Sequence, residues 1–232
     1  MSKVKINRNL FIGDVHGCFD ELLDLLKKLK YNSNKDCLYF VGDLINKGPK
    51  NFEVLKWIMR QQAEGKEVYS VLGNHDWAFY RYATRTQDER KFNNLYFNKL
   101  IEKLGEELSD AVNWIEQLPL YIETSDFIVV HAGVAPGIRL KDHPRQILTL
   151  IRTWDGGEGD FSSLDNPSWF DLYKGEKLIV YGHWAANGLN QRKNTIGLDS
   201  GCVYGGQLSA LILPDREVVS VPAKKDYSPI LT

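Results

Sequence analysis

Short apolar runs alternate with helical patterns over the first 80 residues of the chain. The run that ends at Phe11 and Ile12 is followed by DELLDLLKKLK, whose leucines recur at the spacing of one helical face. CLYFVGD and VYSVLGNHD repeat the strand pattern, and a second helical face, from Phe52 to Met59, lies between them. Strands that alternate with helices indicate right-handed βαβ crossovers. The pattern therefore predicts a largely parallel sheet that is covered by helices on both faces.

The second half of the chain has strand patterns that follow one another without regular helices. FIVVHAG, KLIVYGHW and TIGLDSG each predict a strand, and LSALILPDREVVSVPA predicts a β-hairpin around Pro214 and Asp215. Residues 86–118 instead carry a helical stripe, which predicts a helical insertion against the first sheet. KKDYSPILT at the C terminus is expected to be a surface tail. No repeat or low-complexity segment divides the chain, so we expect a single domain over residues 1–232.

The charge balance limits the kinds of partner. The 232 residues include 29 Lys and Arg against 30 Asp and Glu, for a formal net charge of −1, so general binding to nucleic acid or to a membrane is not expected. Cys18, Cys37 and Cys202 have no CxxC spacing, which argues against a disulfide framework or a cysteine-held zinc. A cytoplasmic location is expected, since neither a signal peptide nor a membrane span is evident.

Polar side chains follow most of the strand patterns, at the point where the apolar run ends. They are Asp14, His16, Asp43, Asn74, His75, Asp76, His131 and His183. Because ligands bind at the carboxyl ends of strands in open α/β sheets, we expect these groups to converge. Taken singly, each has a simpler explanation as a turn former, a helix cap or a satisfied strand end. Taken together they favour a bound ligand, since polar groups at a buried edge need partners.

The candidate ligand atoms are imidazole nitrogens, carboxylate oxygens and an amide oxygen, without a thiolate. This set suits Mn²⁺, Fe²⁺, Zn²⁺, Co²⁺ or Ni²⁺. Because the ligands outnumber what one catalytic ion with an open position needs, two ions that share a carboxylate are expected. Such a pair, about 3.5 to 4 Å apart, clamps a phosphate and activates water for in-line attack. The predicted reaction is hydrolysis of a phosphoester or a phosphoanhydride.

Five motifs then carry a resemblance to a known family. They are GDVHG at 13–17, GDLINKGP at 42–49, GNHD at 73–76, HAG at 131–133, and YGHW at 181–184 with LDSGCVYGG at 198–206. In this order they resemble the metallophosphoesterase superfamily, and within it the PPP-type phosphatases that include symmetrical bis(5′-nucleosyl)-tetraphosphatases and ApaH-like phosphatases. The resemblance implies an α/β fold of the αββα kind, in which two mixed β-sheets are flanked by helices.

The resemblance also implies a role for each motif residue. The first metal ion would be held by Asp14, His16 and Asp43, and the second by Asp43, Asn74, His131 and His183, with Asp43 as the bridge. His75 would be the general acid, helped by Asp76, and Asn74 would also contact the phosphate. Arg152 is the candidate for a second phosphate-binding cation, although a lone loop arginine is as often a solvated surface charge.

Two departures from the protein phosphatase pattern concern the bond that is cleaved. Those phosphatases usually have GDxVDRG, whereas this chain has Asn46 in place of the acid and Lys47 in place of the arginine. Asn46 can orient the His75 imidazole but brings no charge to an imidazolium, and Lys47 binds a phosphate as a point charge. Because a serine alkoxide needs its proton more than a nucleoside diphosphate does, the pair favours anhydride cleavage.

The remaining candidate residues lie beside the motifs. Trp77, Trp184 and Tyr204 are candidates for stacking on a base, with ordinary packing as the alternative. Asp199 is expected to orient a metal-ligating histidine without binding the metal itself.

These features lead to one main hypothesis. We expect a hydrolase with two divalent ions, Mn²⁺ foremost, that splits diadenosine tetraphosphate symmetrically into two molecules of ADP. The alternatives are a PPP-type serine/threonine protein phosphatase and an enzyme that acts on capped RNA or polyphosphate. A metal-bound protein without catalysis is disfavoured, because every expected ligand and His75 are present. The expected partner is therefore a small nucleoside polyphosphate.

Overall fold

Two five-stranded β-sheets form the centre of the protein in the computed structural model. The structure describes residues 8–86, 94–157 and 161–228. Helices pack on the outer face of each sheet and apolar side chains fill the space between the sheets. This four-layer αββα architecture confirms the predicted fold class.

The first sheet combines the strands of the N-terminal half with a C-terminal hairpin. Across the sheet the order is β10 (Glu217–Pro222), β9 (Gln207–Leu213), β1 (Arg8–Ile12), β2 (Asp36–Phe40) and β3 (Val68–Ser70). β1, β2 and β3 are parallel and are joined by α1 (Phe19–Lys28) and α2 (Asn51–Ala63), as the alternating pattern predicts. β9 and β10 pair antiparallel on either side of Pro214, so the predicted hairpin is also confirmed.

The second sheet is mixed as well. Across this sheet the order is β4 (Tyr121–Glu123), β5 (Phe127–Val130), β6 (Leu178–Tyr181), β8 (Thr195–Gly197) and β7 (Asn190–Gln191). β5, β6 and β8 are parallel, while β4 and β7 pair antiparallel at the two edges. The outer face of this sheet packs against α6 (Arg145–Leu150) and α7 (Trp169–Leu172).

Three further helices pack on the same side of the molecule as α1 and α2. They are α3 (Asn74–Ala83), α4 (Leu95–Leu104) and α5 (Leu108–Glu116). α4 and α5 lie within the segment 86–118 that the sequence predicts to be helical, and residues 87–93 of that segment are outside the described residues. None of the helices in the described ranges is both long and apolar enough to cross a membrane.

Aromatic rings fill the centre of the space between the sheets. Phe11 of β1 stacks on Tyr39 of β2 with 5.1 Å between ring centroids. Both rings meet the edge of Phe127 of β5, at 4.8 and 5.3 Å. Aromatic pairs of this kind contribute about 0.5–1.5 kcal/mol beyond the apolar area that they bury. The packing holds one sheet against the other, which brings loops from both sheets to a common edge.

The segment that follows β10 lies at the surface and is held there by specific contacts. The Tyr227 hydroxyl donates to Glu21 Oε1 at 2.7 Å, and the Tyr227 amide donates to Val203 O at 2.9 Å. Asp226 forms a β-bridge with Tyr204. Glu21 is a buried carboxylate of α1, so it needs such donors. The segment is therefore held against α1 and the loop of Tyr204, and the last four residues of the predicted tail are outside the described residues.

Candidate metal centre

The expected ligands lie at the carboxyl ends of strands from both sheets. Asp14 follows β1, Asp43 follows β2 and Asn74 follows β3, while His131 follows β5 and His183 follows β6. The structure brings them together, as expected for open α/β sheets. Ligand atoms of Asp14, Asp43 and His131 all lie within 4.8 Å of one another.

The carboxylate of Asp43 lies between two groups of candidate ligands. A second trio, His16, Asp43 and His75, also has its ligand atoms within 4.8 Å. Asp43 Oδ2 is 3.5 Å from His16 Nε2, and Asp43 Oδ1 is 3.5 Å from His131 Nε2. The His75 amide donates to Asp43 Oδ1 at 2.8 Å and fixes the carboxylate in this orientation. Asp43 is thus common to both trios of described residues.

The side-chain oxygen of Asn74 is the meeting point of two imidazoles. Asn74 Oδ1 is 2.8 Å from His131 Nε2 and 2.9 Å from His183 Nδ1. Asn74 begins α3 directly after Gly73, and a Cβ at Gly73 would clash with the amide nitrogen and Oδ1 of Asp43. Only glycine therefore allows the turn that leads into α3 to approach Asp43 so closely.

Backbone carbonyls orient two of the imidazoles. His16 Nδ1 donates to Ile45 O at 3.1 Å, and His131 Nδ1 donates to Val41 O at 2.8 Å. Because a carbonyl only accepts, Nδ1 carries the proton in each ring and Nε2 keeps a free lone pair that faces the shared carboxylate. Burial lowers the pKa of His16 to about 3 and that of His183 to about 3. These rings are neutral at physiological pH, which is the form that binds metal.

Several carboxylates are buried around these imidazoles, namely Asp14, Asp43, Asp76 and Asp199. Burial raises the pKa of Asp14 well above its ordinary value, and the negative charges of Asp199 and Asp43 raise it further. Burial alone would also raise the pKa of Asp43, but the surrounding imidazoles outweigh it and lower that pKa. Crowded buried carboxylates are costly unless cations compensate them. The donor set and its charge therefore fit divalent metal ions.

The carboxylates of Asp76 and Asp199 bind the backbone. Asp76 Oδ1 accepts from the Leu44 amide at 3.0 Å and Oδ2 accepts from the Gly73 amide at 3.1 Å. Asp199 Oδ1 accepts from the Gly201 amide at 3.1 Å. The sequence leads us to expect Asp76 beside the general acid and Asp199 behind a ligand histidine, but the hydrogen bonds found for them go to amides. Both carboxylates hold the loops that surround the centre.

One side chain orients His75. Asn46 Nδ2 is 2.7 Å from His75 Nδ1, and Asn46 Oδ1 accepts from the Lys47 amide at 3.0 Å. Since Oδ1 is engaged, the amide N–H faces the imidazole and donates to Nδ1. Burial lowers the pKa of His75, so its ring is neutral and carries its proton on Nε2. That proton prevents coordination through Nε2 and makes His75 a hydrogen-bond donor, in contrast to the Nε2 atoms of His16 and His131.

The loops of the site hold non-glycine residues in the left-handed backbone region. The φ angle is 45° at His16, 51° at Asp43, 82° at Asn46, 67° at Lys47 and 71° at His183. Each such residue costs of order 1–3 kcal/mol and persists only where its surroundings enforce the conformation. Backbone strain of this kind is typical of functional sites.

Two cations lie beside the centre. Lys47 Nζ donates to the Tyr204 hydroxyl at 2.6 Å. Arg152 Nε is buried and has no hydrogen-bond partner among the described residues. Burial and then neighbouring charges, Arg152 among them, lower the pKa of His183, so the guanidinium is near that ring. Arg152 is thus half-buried near His183 with one buried, unpaired nitrogen, which fits a phosphate-binding cation better than a solvated surface charge.

Comparison with known proteins identifies the family. The model of the calcineurin-like phosphoesterase family matches residues 8–217. The chain is a calcineurin-like phosphoesterase. A bis(5′-nucleosyl)-tetraphosphatase PrpE of Halalkalibacterium halodurans, named asymmetrical, is 31% identical over 92% of this chain and 93% of its own. A symmetrical bis(5′-nucleosyl)-tetraphosphatase of Chromobacterium violaceum is 27% identical over 92% and 94%. A crystal structure provisionally named a diadenosine tetraphosphatase is 31% identical, with a TM-score of 0.76 over 96% of both chains.

The family membership confirms the resemblance found in the motifs and the class of enzyme. This phosphoesterase is a metal-dependent hydrolase of phosphate compounds. The buried imidazoles, carboxylates and amide oxygen fit the divalent ions on which calcineurin-like phosphoesterases depend.

The aromatic candidates of the phosphoesterase differ in their surroundings. Trp184 packs against Phe170 of the second sheet's outer core, with 5.9 Å between ring centroids. The Arg145 guanidinium lies over the Trp77 ring at 3.8 Å from its centroid. Tyr204 is 44% exposed next to Lys47. The Trp184 ring is thus engaged in packing, whereas the half-exposed ring of Tyr204 has the Lys47 ammonium 5.0 Å from its centroid.

Sequence reasoning missed two kinds of contributor to the phosphoesterase site. Val41 and Ile45 act through their carbonyls, and no pattern of side chains marks such a role. Arg145, the first residue of α6 directly after Pro144, lines a pocket together with Asn74 and Trp77. The proline was the only signal for it, because proline favours the start of a helix.

Proposed function

We propose that this phosphoesterase hydrolyses bis(5′-nucleosyl) tetraphosphates at a centre that holds two divalent metal ions. The observation that carries the proposal is the shared carboxylate of Asp43, whose oxygens are each 3.5 Å from a different imidazole, His16 and His131. A carboxylate that faces two sets of donors suits a pair of ions about 3.5 to 4 Å apart. The substrate class is supported by two relatives that are named bis(5′-nucleosyl)-tetraphosphatases and that each align with 92% of the chain.

The ions are assigned to the donors that surround them. By the family resemblance, Asp14, His16 and Asp43 would hold the first, and Asp43, Asn74, His131 and His183 would hold the second. When bound, the pair stabilises negative charge on the phosphate and lowers the pKa of water. We propose Mn²⁺ as the metal, with Fe²⁺, Zn²⁺, Co²⁺ and Ni²⁺ as alternatives, because the donors include no thiolate.

His75 donates a hydrogen bond from Nε2 to the oxygen that leaves with the departing nucleotide and so stabilises the negative charge that develops there. Asn46 supports this role by donating to Nδ1 at 2.7 Å, which keeps the proton on Nε2. The neutral ring keeps this proton, and a departing nucleoside phosphate, as a weak base, does not need to be protonated. Asp76 contributes indirectly, because its carboxylate accepts hydrogen bonds from the amides of Leu44 and Gly73 in the loops around the centre.

Lys47 and Arg152 are the proposed phosphate-binding cations. Lys47 adjoins Asn46 and thus the proposed hydrogen-bond donor, while Arg152 is near His183, so the two flank the phosphate chain. The guanidinium binds phosphate oxygens as a fork and the ammonium as a point charge. The Asn74 amide reaches the same phosphate.

The proposal also covers the setting of the enzyme. Cys18, Cys37 and Cys202 are free and buried, which suits a reducing compartment, and we place the protein in the cytoplasm. The catalytic domain comprises residues 1–232, with 86–118 as its helical insertion. The formal net charge of −1 leaves nucleic acid as a poor general ligand.

The bond that is cleaved is defined by the products. The motif variants at Asn46 and Lys47 favour cleavage of an anhydride, and the reaction that we propose is the symmetrical one, which yields two ADP from diadenosine tetraphosphate. The asymmetrical reaction, which yields ATP and AMP, is a second candidate, because a relative named asymmetrical is 31% identical and one named symmetrical is 27% identical. Both reactions consume the same substrate, so only the products separate them.

The test is incubation with Mn²⁺ and diadenosine tetraphosphate, followed by anion-exchange chromatography. ADP as the sole product is the expected result, and equal amounts of ATP and AMP would select the second candidate. No turnover of this substrate, together with rapid dephosphorylation of a phosphoserine peptide or a capped oligonucleotide, would overturn the proposal.

The role of His75 needs its own control, because it lies within 4.8 Å of two candidate ligands. As a hydrogen-bond donor to the leaving oxygen, His75 contributes about 10²- to 10³-fold to kcat, so His75→Ala should lose that factor and keep its affinity for Mn²⁺. Calorimetric titration with Mn²⁺ measures this affinity, and a large loss would make His75 a ligand instead.

A further inference from the structure

A cleft of about 370 Å³ lies beside the metal centre, between the loop of Lys47, helix α4 and the segment that follows β10. Tyr96 and Lys99 of α4 line one side, and Lys225 and Tyr227 line the other. We call it the lysine cleft. Its volume is in the range of small-molecule sites, which is about 300–1,000 Å³.

The lysine cleft carries an excess of positive charge. Lys103, which also lines it, pairs with Glu53 at 3.1 Å. Lys99 and Lys225 have no carboxylate partner within the described part of the chain. Among the described lining residues only Asp226 is acidic, and its carboxylate accepts from the amide and hydroxyl of Ser228. In a chain with a net charge of −1, this excess is local and attracts an anion.

The other lining groups narrow the choice of anion. Tyr96 is a half-buried aromatic side chain on α4, and the Lys225 ammonium lies 5.4 Å from the centroid of the Tyr227 ring. Lysines bind phosphates as point charges, and aromatic rings stack on bases of any sequence. Ammonium groups and aromatic rings in one cleft together fit a nucleoside polyphosphate.

Lys47 connects the lysine cleft to the proposed hydrogen-bond donor. The Lys47 amide donates to Asn46 Oδ1 at 3.0 Å, and Asn46 Nδ2 donates to His75 Nδ1 at 2.7 Å. A hydrogen-bond donor of this kind must face the oxygen that departs. A departing nucleotide would therefore lie on the Lys47 side of the centre, where the cleft begins.

We propose that the lysine cleft binds the departing nucleotide of a dinucleoside polyphosphate, with its phosphates along Lys47, Lys99 and Lys225 and its base beside Tyr96. The identity of this ligand rests on the proposed function. The cleft is formed in part by α4, so the helical insertion has a role in substrate binding.

The first test reverses charge at two exposed lysines of the cleft, in Lys99→Glu/Lys225→Glu. Lys35→Glu is the matched control, because Lys35 is an exposed lysine just before the amino end of β2, whereas the metal centre lies at the carboxyl ends of the strands. The double variant should raise the KM for diadenosine tetraphosphate by at least about tenfold, while kcat/KM for nitrophenyl phosphate stays within about twofold. An unchanged KM, or an equal loss on both substrates, would overturn the proposal.

The second test does not depend on turnover. ATP binding is measured by calorimetry in EDTA, and the double variant should bind ATP at least about tenfold more weakly than the parent and the Lys35→Glu control. Unchanged ATP affinity of the double variant would refute the proposed role of the lysine cleft but not the proposed tetraphosphatase activity. If the unmutated protein binds ATP in the cleft but does not cleave diadenosine tetraphosphate, the proposed tetraphosphatase activity is refuted and the nucleotide site in the cleft is not. If the double variant lost affinity for an oligoribonucleotide but kept its affinity for ATP, the cleft would be a nucleic-acid site and the proposal would be wrong.

The position of the base is tested at Tyr96. Tyr96→Leu should weaken ATP binding and leave the binding of inorganic tripolyphosphate unchanged, because only ATP has a base to stack. Any other pattern would contradict the placement of the base.

Discussion

Replacement of Asn46 by glycine tests how the proposed hydrogen-bond donor is held. Asn46 has a φ angle of 82°, which glycine adopts freely and alanine does not. Asn46→Gly therefore removes the amide without backbone strain. Asn46→Ala removes the same amide and adds about 1–2 kcal/mol of strain, so it should unfold at a lower urea concentration than Asn46→Gly.

The size of the effect follows from the bond that is lost. Asn46 Nδ2 and His75 Nδ1 are 2.7 Å apart, and such a hydrogen bond contributes about 0.5–1.5 kcal/mol. Since 1.36 kcal/mol corresponds to about tenfold in rate, kcat for diadenosine tetraphosphate should fall by about 2- to 13-fold in both variants. Steady-state kinetics with Mn²⁺ and chromatographic detection of ADP measure this fall.

A double-mutant cycle then decides whether Asn46 acts through His75. In a His75→Ala background, Asn46→Gly should change kcat by less than about twofold, because the amide no longer has a partner. A fall of the full size in that background would refute the reasoning. A rise in KM without a fall in kcat would refute it too, and would point to the Lys47 amide, which loses its acceptor in the same variant.

Three further predictions concern stability. Removal of metal by chelation should lower Tm, because the crowded carboxylates of the centre are then uncompensated. Asp14→Asn should reduce the rise in Tm with Mn²⁺ without lowering the metal-free Tm, because burial disfavours the charge of this carboxylate, and a lower metal-free Tm would contradict this account. Phe11→Ala should lower the free energy of unfolding in urea by about 3–5 kcal/mol since the ring is fully buried, whereas Leu164→Ala, at a residue that is 80% exposed, should change it by less than about 0.5 kcal/mol. Tyr227→Phe should lower it by about 1–3 kcal/mol, because the buried Glu21 carboxylate loses a donor, and an unchanged value would mean that the contact does not stabilise the fold.

The arrangement of the ligands was accessible from the sequence because it depends on local patterns. Asp14 and Asp43 each follow an apolar run that is followed in turn by a helical stripe, and that order is enough to predict parallel strands. Parallel strands share one carboxyl edge, so residues 29 positions apart were expected to be neighbours. His131 and His183 follow the same rule in the second sheet.

Other features depend on tertiary packing and were not accessible in this way. Asp76 has the same position after a strand as the ligands, yet its carboxylate binds amides, which only the fold of the loops decides. The left-handed backbone conformation of Lys47 could not be predicted from its residue type, because lysine rarely adopts that conformation. Tyr227 and Glu21 are 206 residues apart, and nothing near either of them predicts that the end of the chain returns to α1.

The candidate metal centre is built across the boundary between the two sheets. Asp14, Asp43 and Asn74 belong to the first sheet, and His131 and His183 belong to the second. Bound ions would therefore act as cross-links between two halves that otherwise meet through aromatic packing such as Phe11 on Phe127. A slide of one sheet past the other would separate the donors, so release of metal and loss of the interface between the sheets should occur as one cooperative event.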